Sequence, residues 1–360
     1  MMPLADLVVL EAPRPDAPRV HRLALALAGK MAAELGARVI KAVPPGGDPL
    51  HRVPVLPWEQ DRNPQALARF LDNSKSLHTT VSTSAGDADG YAMLAAEANV
   101  ILTDDPVIQE ELSSATGSRK VVCALASFPA GSALNDVPVS EITLLALSGI
   151  LDIVGDPERE PLMLGGHQAG YAGGLAMFSA MMTGVARLEN QGVGDFFDVN
   201  IWDVLAWVNW KNVASSYFKP GEKTTREGAA AEWRVVKAKD GWIALVFNQR
   251  DWPSLANMIG GALLEDPGLA TRSGRAAQRA EYMSVVEAWC RQRTREQIYR
   301  QAQEARIPIG PVVEPYEMPD DPHFAARQVI TESLDSGFGA FRSPALPVRW
   351  NENSPGPIEA

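Results

Sequence analysis

The sequence predicts an α/β fold, in which a large domain is built on an open parallel sheet and a smaller α+β domain is inserted into it. Short β-branched runs alternate with alanine-rich helical runs over the first third of the chain, which is the order of a parallel sheet joined by crossover helices. The character changes after residue 200, where six tryptophans fall between positions 202 and 252. A chain of 360 residues is long enough for two unequal domains.

The large domain begins with a strand, a helix, a second strand and a turn. These segments are LVVLEA (7–12), RLALALAGKMAAELGA (22–37), RVIKAV (38–43) and PPGGDP (44–49). The same order continues in HTTVST (78–83), GDADGYAMLAAEA (86–98), NVILTDD (99–105) and KVVCALASF (120–128). The strands are short and nearly continuously apolar, which predicts a Rossmann-like sheet with helices on both faces.

The smaller domain is predicted from a hairpin and a long helical segment. WRVVKAKDGWIALVF (233–247) predicts two strands joined at an Asp-Gly turn, and residues 280–305 have helical periodicity. Five prolines follow within 306–324, and the tail 339–350 predicts an extended segment that returns to the large domain. The predicted bounds are 1–214 for the first part of the large domain, 215–310 for the small domain and 311–360 for the returning segment.

Composition excludes several classes of protein. A net charge of −11 and a pI near 5.1 argue against a nucleic-acid partner, which needs a basic face. Cys123 and Cys290 are too few for a disulfide framework or a cysteine zinc site, and the five histidines have no metal-ligand spacing. The first residues show no export-signal pattern, so we expect no export, and the run 170–186, with four glycines, predicts a buried helix rather than a membrane span. We therefore expect a cytoplasmic protein with no metal and no membrane partner.

The segment GGHQAGYAGGLAMFSAMM (165–182) predicts a glycine-rich loop that leads into an apolar helix. Such a loop brings backbone N–H groups close to a ligand. Its polar residues include His167, which is a candidate base because an imidazole titrates near neutral pH. The segment itself contains no carboxylate or other obvious nucleophile.

Seven segments, taken together and in this order, resemble family III CoA-transferases, the group that includes formyl-CoA and carnitine CoA-transferases and the α-methylacyl-CoA racemases. They are LGARVIKAVPPGGDPLHR (35–52), DNSKS (72–76), AEANVILTDDP (96–106), EITLLALSGILDIVG (141–155), KDGWIALVFNQRDWPSLANMIG (239–260), VEAWCRQRTREQIYRQAQEARIPIGPV (286–312) and DDPHFAAR (320–327). The resemblance implies an interlocked, ring-like dimer that acts on acyl-CoA and a small carboxylic acid.

The catalytic carboxylate of that family has no counterpart at the matching position. In the family an aspartate opens the glycine segment and attacks the acyl-CoA thioester. On the resemblance of YAGG (171–174) and the segment 190–204, its position falls at Gly170. The racemases pair this aspartate with a histidine, whose place is taken by Ser140, and the acid after it is Glu141. The resemblance therefore implies a chain without the family's nucleophile.

Three functions are compatible with these residues. The leading hypothesis is the aspartate-less subunit of an acyl-CoA:carboxylate CoA-transferase, paired with an aspartate-bearing paralogue. The second is a homodimeric enzyme acting on a CoA thioester by altered chemistry, with His167, Glu141 or Ser140 in place of the aspartate. The third is a CoA-binding or regulatory protein without catalysis.

The resemblance also implies residues that would contact coenzyme A or the acyl-CoA. Lys41 and Lys75 lie in matching segments and carry the positive charge that phosphates prefer. Gly173 and Gly174 lie in the predicted loop, and Asp104 takes the place of a CoA-proximal asparagine of the family. An acid at position 104 adds negative charge near an anionic ligand, which weakens CoA binding.

Overall fold

The structure is a computed structural model that describes residues 2–51, 66–79, 88–113, 119–135, 137–218, 226, 232–335 and 339–349. The chain forms two compact units. The first contains Met1–Val154, Pro161–Thr224 and His323–Ala360, and the second contains Gly155–Glu160 and Thr225–Pro322. The short excursion Gly155–Glu160 has no counterpart in the predicted division.

The first unit is built on a six-stranded parallel sheet with the order β3-β2-β1-β4-β5-β6. Its strands are β1 Val8–Ala12, β2 Arg38–Val43, β3 Ser76–Thr79, β4 Val100–Thr103, β5 Val121–Ala126 and β6 Phe196–Asn200. This parallel sheet confirms the α/β fold. Of the predicted strand 78–83, only its first two residues fall within β3, and residues 80–83 lie outside the described residues.

Helices connect these strands. They are α1 Arg19–Glu34, α2 Ala66–Asp72, α3 Ala88–Glu97, α4 Pro106–Ser113, α5 Glu141–Leu147, α6 Gln168–Gln191, α7 Ile201–Val208 and α8 Trp210–Phe218. Neighbouring strand residues face opposite cores: Val9 packs with residues of α1 and α6, and Leu10 packs with Ile108 of α4. Successive side chains of a strand point to opposite faces of the sheet, so these contacts show that helices cover both faces.

Helix α6 is the longest helix among the described residues, and it packs against α1 and the sheet. It ends at Gly192, whose φ of 69° is a left-handed conformation that glycine adopts without strain, and the Gly192 N–H donates to the Leu188 carbonyl at 2.9 Å. No helix in the described part of the chain is long and apolar enough to cross a membrane. The run 170–186 lies inside α6, as the sequence predicts.

The described residues of the second unit form a three-stranded antiparallel sheet and four α-helices. Its strands are β7 Arg234–Lys237, β8 Trp242–Leu245 and β9 Gly310–Pro311, and its helices are α9 Trp252–Ile259, α10 Arg272–Ala277, α11 Arg279–Arg291 and α12 Arg295–Glu304. Lys237 pairs with Trp242 across the predicted Asp-Gly turn. The predicted helical segment 280–305 is two helices, because Thr294 caps α12 in a reciprocal pair of hydrogen bonds with Gln297.

The chain returns through α13 Pro322–Arg327 to an antiparallel pair, β10 Ile330–Asp335 and β11 Gly339–Pro344. Cys123 and Cys290 lie in the hydrophobic cores of the first and second units. Burial raises the pKa of the Cys123 thiol to about 12 and that of Cys290 to about 11, so both stay protonated near neutral pH.

Candidate active site

The amino-terminal end of α6 is where the glycine-rich segment becomes a helix. Gly166 has a φ of 79°, which favours glycine, and it leads the chain into His167 at the residue before the first helical turn. The predicted loop over 165–174 is therefore too long, since the helix begins at Gln168. The physical reason is that the glycines from position 170 onward provide close packing between helices rather than a turn.

Glu141 caps this end of α6. Its Oε1 accepts a hydrogen bond from the Ala169 N–H at 2.5 Å, and its Oε2 accepts from the Gly170 N–H at 3.4 Å. A carboxylate is favoured there, because the first N–H groups of a helix have no partner within the helix and carry a partial positive charge. Burial raises the pKa of Glu141, while these two backbone hydrogen bonds oppose the rise. The structure thus brings Glu141 and position 170 together.

Gly170 is buried against α1. A Cβ atom at this position would lie 3.0 Å from the Cβ of Leu23 and 3.3 Å from the carbonyl oxygen of Val20. Contacts this short force the neighbouring atoms to move, and one of them belongs to the backbone. A side chain at position 170 therefore requires its neighbours on α1 to shift by a few tenths of an ångström.

Gly173 and Gly174 continue the same contact one turn further along α6. A Cβ on Gly174 would lie 2.8 Å from the carbonyl oxygen of Ala24 and 2.9 Å from the Cβ of Leu27. A Cβ on Gly173 would lie 3.1 Å from a side-chain carbon of Ile201. Both glycines have a packing role in the structure, and their contact with CoA stays a prediction.

His167 directly precedes the first turn of α6 and is largely buried. Its ring meets that of Tyr171 edge to face, with 6.1 Å between the ring centroids, and its Nε2 has no hydrogen-bond partner among the described residues. Burial, together with the charge of Arg19, lowers the pKa of His167, so its imidazole is neutral near pH 7. Burial and the neighbouring Glu141 raise the pKa of Tyr171. A neutral imidazole at this place can accept a proton.

Ser140 caps α5. Its Oγ accepts from the Thr143 N–H at 3.5 Å, and its own N–H donates to the Thr143 Oγ1 at 2.7 Å. This reciprocal pair satisfies N–H groups at the start of α5 and holds Glu141, the first residue of that helix. Ser140 therefore positions Glu141, and its role as a catalytic group stays a prediction.

Lys41 and Lys75 lie in a buried ionic cluster. The Nζ of Lys41 lies 2.6 Å from Asp48 Oδ2, 2.8 Å from Asp72 Oδ2 and 3.3 Å from Glu11 Oε1. The Nζ of Lys75 lies 2.7 Å from Glu11 Oε2 and 2.9 Å from Asp72 Oδ1. The side chain of Lys41 is 1% exposed and that of Lys75 is 0% exposed, so neither ammonium group reaches solvent. Their contact with CoA stays a prediction.

Asp48, His51 and Asp72 form a group in which one ligand atom of each lies within 4.8 Å of the others. Such a group has the donor atoms of a metal site. The Lys41 ammonium, however, contacts the carboxylates of both Asp48 and Asp72 and supplies the positive charge at this place. His51 Nε2 lies 3.1 Å from Asp72 Oδ2, which is hydrogen-bond distance.

Asp104 lies at the carboxyl end of β4 and contacts residues that the sequence did not single out. Its Oδ2 lies 2.9 Å from Nδ1 of His21, and Nε2 of the same ring lies 2.7 Å from Oγ of Ser127. The Arg14 N–H donates to Asp104 Oδ1 at 2.8 Å. Asp104 and Ser127 lie near the carboxyl ends of the predicted strand segments 99–105 and 120–128. Parallel strands end at the same sheet edge, which is the only sequence signal for this proximity.

Comparison with known proteins gives the family. A family model described as CoA-transferase family III matches residues 4–359, nearly the whole chain. The chain belongs to CoA-transferase family III. The predicted resemblance to this family is thereby confirmed, whereas the absence of a catalytic aspartate stays a prediction.

Two CoA-transferases and one solved structure are similar to this chain over most of their length. Succinate–glutarate CoA-transferase of Agrobacterium fabrum is 24% identical over 94% of this chain and 91% of that protein. The succinyl-CoA–L-malate CoA-transferase alpha subunit of Chloroflexus aurantiacus is 24% identical over 92% of this chain and 81% of that protein. A crystal structure of a CaiB/BaiF family protein from Brucella suis superposes with a TM-score of 0.81 at 22% identity, covering 98% of this chain and 94% of that one.

Proposed function

We propose that this family III chain is the subunit of an acyl-CoA:carboxylate CoA-transferase that lacks the nucleophilic carboxylate and works with an aspartate-bearing paralogous chain. The observation that supports this most is the packing of Gly170. The position that matches the family's aspartate is a glycine pressed against Leu23 and Val20 of α1. A family member that transfers CoA through a carboxylate there needs a second chain to provide it.

The hydrogen bonds of Glu141 also support a subunit that contributes no nucleophile of its own. Both of its oxygens accept backbone hydrogen bonds, from the N–H groups of Ala169 and Gly170. Hydrogen bonds to a carboxylate stabilise its negative charge and lower its reactivity toward a thioester carbonyl. Glu141 therefore holds the amino-terminal end of α6 in place, and this end contributes to the site of the pair.

A second chain also fits the exposed apolar surface of α7 and α8. The most exposed large residues there are Trp207 (76%), Val208 (53%), Trp210 (63%), Val213 (55%), Tyr217 (80%) and Phe218 (80%). Several large aromatic groups on adjacent helices are typical of a protein interface. We assign this surface to the paralogous chain, since one family member is named as an alpha subunit and thus belongs to an enzyme with more than one subunit.

The ligands proposed for the pair are an acyl-CoA and a small carboxylic acid. For Lys41 or Lys75 to contact a CoA phosphate, its ammonium group has to exchange a buried carboxylate for that phosphate. A ligand at the amino-terminal end of α6 would not have to break an ion pair of this kind. The side chains of His167 and Tyr171 already lie at that end.

The test is native mass spectrometry of the complex isolated through a tag on this chain from its own cells. We expect a mixed complex that contains an aspartate-bearing family member, and CoA transfer by that complex in an assay with succinyl-CoA and a panel of carboxylic acids. The same tag on a chain with Trp207→Asp and Trp210→Asp recovers less of the partner. A homodimer alone, with no paralogous chain recovered, overturns the proposal.

A second candidate function is favoured by one observation. Glu141 is a partly buried carboxylate with a raised pKa at the amino-terminal end of α6, next to the position of the family's aspartate. If it replaces that aspartate, the chain is a homodimeric CoA-thioester enzyme in which Glu141 forms the acyl anhydride.

Glu141→Gln separates the two functions. In a homodimeric enzyme this change removes the nucleophile and lowers kcat by on the order of 10⁴ or more. In the mixed complex we expect a loss below about tenfold, because the amide oxygen still accepts one backbone hydrogen bond and the partner supplies the nucleophile. The measurement is the rate of CoA exchange, with Glu189→Gln on the exposed face of α6 as the matched control. A loss of 10⁴ in the mixed complex would contradict the subunit proposal.

A further inference from the structure

A second set of chemically active side chains lies at the sheet edge where the chain order reverses. The strands β2 and β3 lie on one side of β1, and β4, β5 and β6 lie on the other. In open parallel sheets this place forms a crevice outside the carboxyl ends of the strands. Here Asp104 follows β4, Ser127 follows β5, and His21 lies on the first turn of α1.

These three residues form a hydrogen-bonded chain. Asp104 Oδ2 lies 2.9 Å from His21 Nδ1, and His21 Nε2 lies 2.7 Å from Ser127 Oγ. A carboxylate only accepts hydrogen bonds, so Nδ1 carries the imidazole proton and donates it to Asp104. In the neutral imidazole Nε2 is then an acceptor, and the Ser127 hydroxyl donates to it. This is the order of donors and acceptors in a serine nucleophile with its base and orienting acid.

The burial of the three residues follows the same order. The side chain of Asp104 is 0% exposed and that of His21 is 6% exposed, whereas Ser127 is half-buried. Asp104 is fixed further by the Arg14 N–H, which donates to its Oδ1 at 2.8 Å. The acid and the base are thus held in place, and the hydroxyl is the group of the three that a substrate reaches most easily.

All three residues line one cavity of the first unit, with a volume of about 810 Å³. This volume lies within the range of small-molecule sites, about 300–1,000 Å³. Part of the wall is apolar, formed by Phe128, Val137, Val139 and Phe196, which suits an acyl chain. The Arg14 guanidinium lies in the same wall, with its Nε 3.4 Å from Asp104 Oδ2, and helps to hold that carboxylate in place.

We propose that Ser127, His21 and Asp104 form a second catalytic site, which hydrolyses an ester or thioester with a small acyl group through an acyl-serine. Ser127 Oγ attacks the carbonyl carbon, and its proton passes to His21 Nε2. The tetrahedral intermediate breaks the bond to the alkoxide or thiolate, which leaves as an alcohol or thiol with the proton from His21. Water then attacks the acyl-serine, gives a proton to His21 and releases the carboxylic acid, and the proton returns to Ser127.

This site differs from the proposed CoA-transfer site, which uses the amino-terminal end of α6 and a partner chain. Asp104 is the one residue of the three that the resemblance also places near CoA, so Ser127 and His21 are the residues that separate the two activities. Hydrolysis is therefore measured on the isolated full chain without CoA or a partner, and either activity can be lost without the other.

The experiment uses p-nitrophenyl butyrate as the substrate and a fluorophosphonate as a covalent probe. We expect hydrolysis above the protein-free rate and a single fluorophosphonate adduct on Ser127, identified by peptide mass spectrometry. Ser127→Ala removes the nucleophile and lowers the hydrolysis rate by on the order of 10³ or more. Asp104→Asn removes the acid that orients the base, and it lowers the hydrolysis rate by about 10⁴ at most.

Ser179→Ala is the matched control. Ser179 lies on α6 outside this cavity, and its Oγ donates to the carbonyl oxygen of Leu175 rather than to a histidine. This variant keeps the hydrolysis rate of the unmodified protein. The adduct on Ser127 is read from the unmodified chain, so it does not depend on the folding of any variant. No adduct on Ser127, or a Ser127→Ala rate equal to that of the unmodified protein, overturns the proposal.

Discussion

Replacing Lys41 with methionine is expected to lower the free energy of unfolding by about 3–5 kcal/mol near neutral pH, the cost of removing one partner from a buried ion pair. Lys41 lies on β2 directly opposite Glu11 of β1, and its Nζ contacts Glu11, Asp48 and Asp72 at 3.3, 2.6 and 2.8 Å. Methionine fills a similar volume but leaves these carboxylates short of one buried positive charge.

The pKa shifts of this cluster set the pH dependence. Burial works against ionised Asp48, yet the charge and hydrogen bond of Lys41 hold its pKa below the usual value. Burial also works against ionised Asp72, and Lys75 and Lys41 hold the pKa of that carboxyl far below its usual range. A lowered aspartate pKa stabilises the folded chain above the unfolded value of about 4, and this contribution is lost as pH falls below it.

The Lys41→Met variant therefore behaves differently in acid. Asp48 stays buried without the attraction of Lys41, so its pKa rises and it takes up a proton at higher pH than in the unmodified chain. The deficit in unfolding free energy is thus largest near pH 7 and becomes smaller as pH falls toward about 4.

Urea unfolding followed by tryptophan fluorescence measures both effects. Lys239→Met on the surface of the second unit is the control, and we expect it to change the unfolding free energy by less than about 0.5 kcal/mol. A deficit for Lys41→Met below about 1 kcal/mol, the size of an exposed ion pair, would show that the cluster is not a buried charge network.

The sequence predicts the scaffold well because its signals are local. Alternation of apolar strands and alanine-rich helices predicts the parallel sheet, and Asp240-Gly241 predicts the hairpin between β7 and β8. A strand or a hairpin turn depends on residues a few positions apart, so both can be predicted without tertiary contacts.

The glycine-rich segment shows where such local signals become ambiguous. Gly166 has positive φ and makes the turn that the sequence predicts. Gly170, Gly173 and Gly174 lie inside α6, where their lack of a side chain lets α1 or α7 approach. The sequence shows only a glycine, whether that residue makes a turn or allows close helix packing. The position of the facing helix decides between the two roles.

The charged residues of the site could not be placed from sequence because their partners are distant along the chain. Lys41 contacts Asp72, and His21 contacts both Asp104 and Ser127, residues that come together only through the order of the parallel strands. A lysine in a strand gives no local sign of whether it faces solvent or a buried carboxylate. The sequence therefore predicts Lys41 as a ligand contact, whereas the structure gives it partners within the fold.

Introducing the family's aspartate at position 170 is expected to destabilise the chain rather than to give it activity. In Gly170→Asp the new Cβ would lie 3.0 Å from Leu23 Cβ and 3.3 Å from the Val20 carbonyl oxygen. The carboxylate also meets the negative charge of Glu141, which already bonds to the Ala169 and Gly170 N–H groups. Overpacking and burial of a second, poorly compensated acid together cost about 2–4 kcal/mol.

The contrast with Gly165→Asp makes this prediction specific. A Cβ at Gly165 meets no atom within 4 Å, so an aspartate there keeps the unfolding free energy nearly unchanged. The measurements are urea unfolding of both variants and CoA exchange by each purified chain without its partner. A stable Gly170→Asp chain that transfers CoA alone would show that α1 makes room for the carboxylate. In that case the glycine at position 170 only removes the nucleophile. The packing of α1 against α6 would then no longer support the proposal that the chain works only with a catalytic partner.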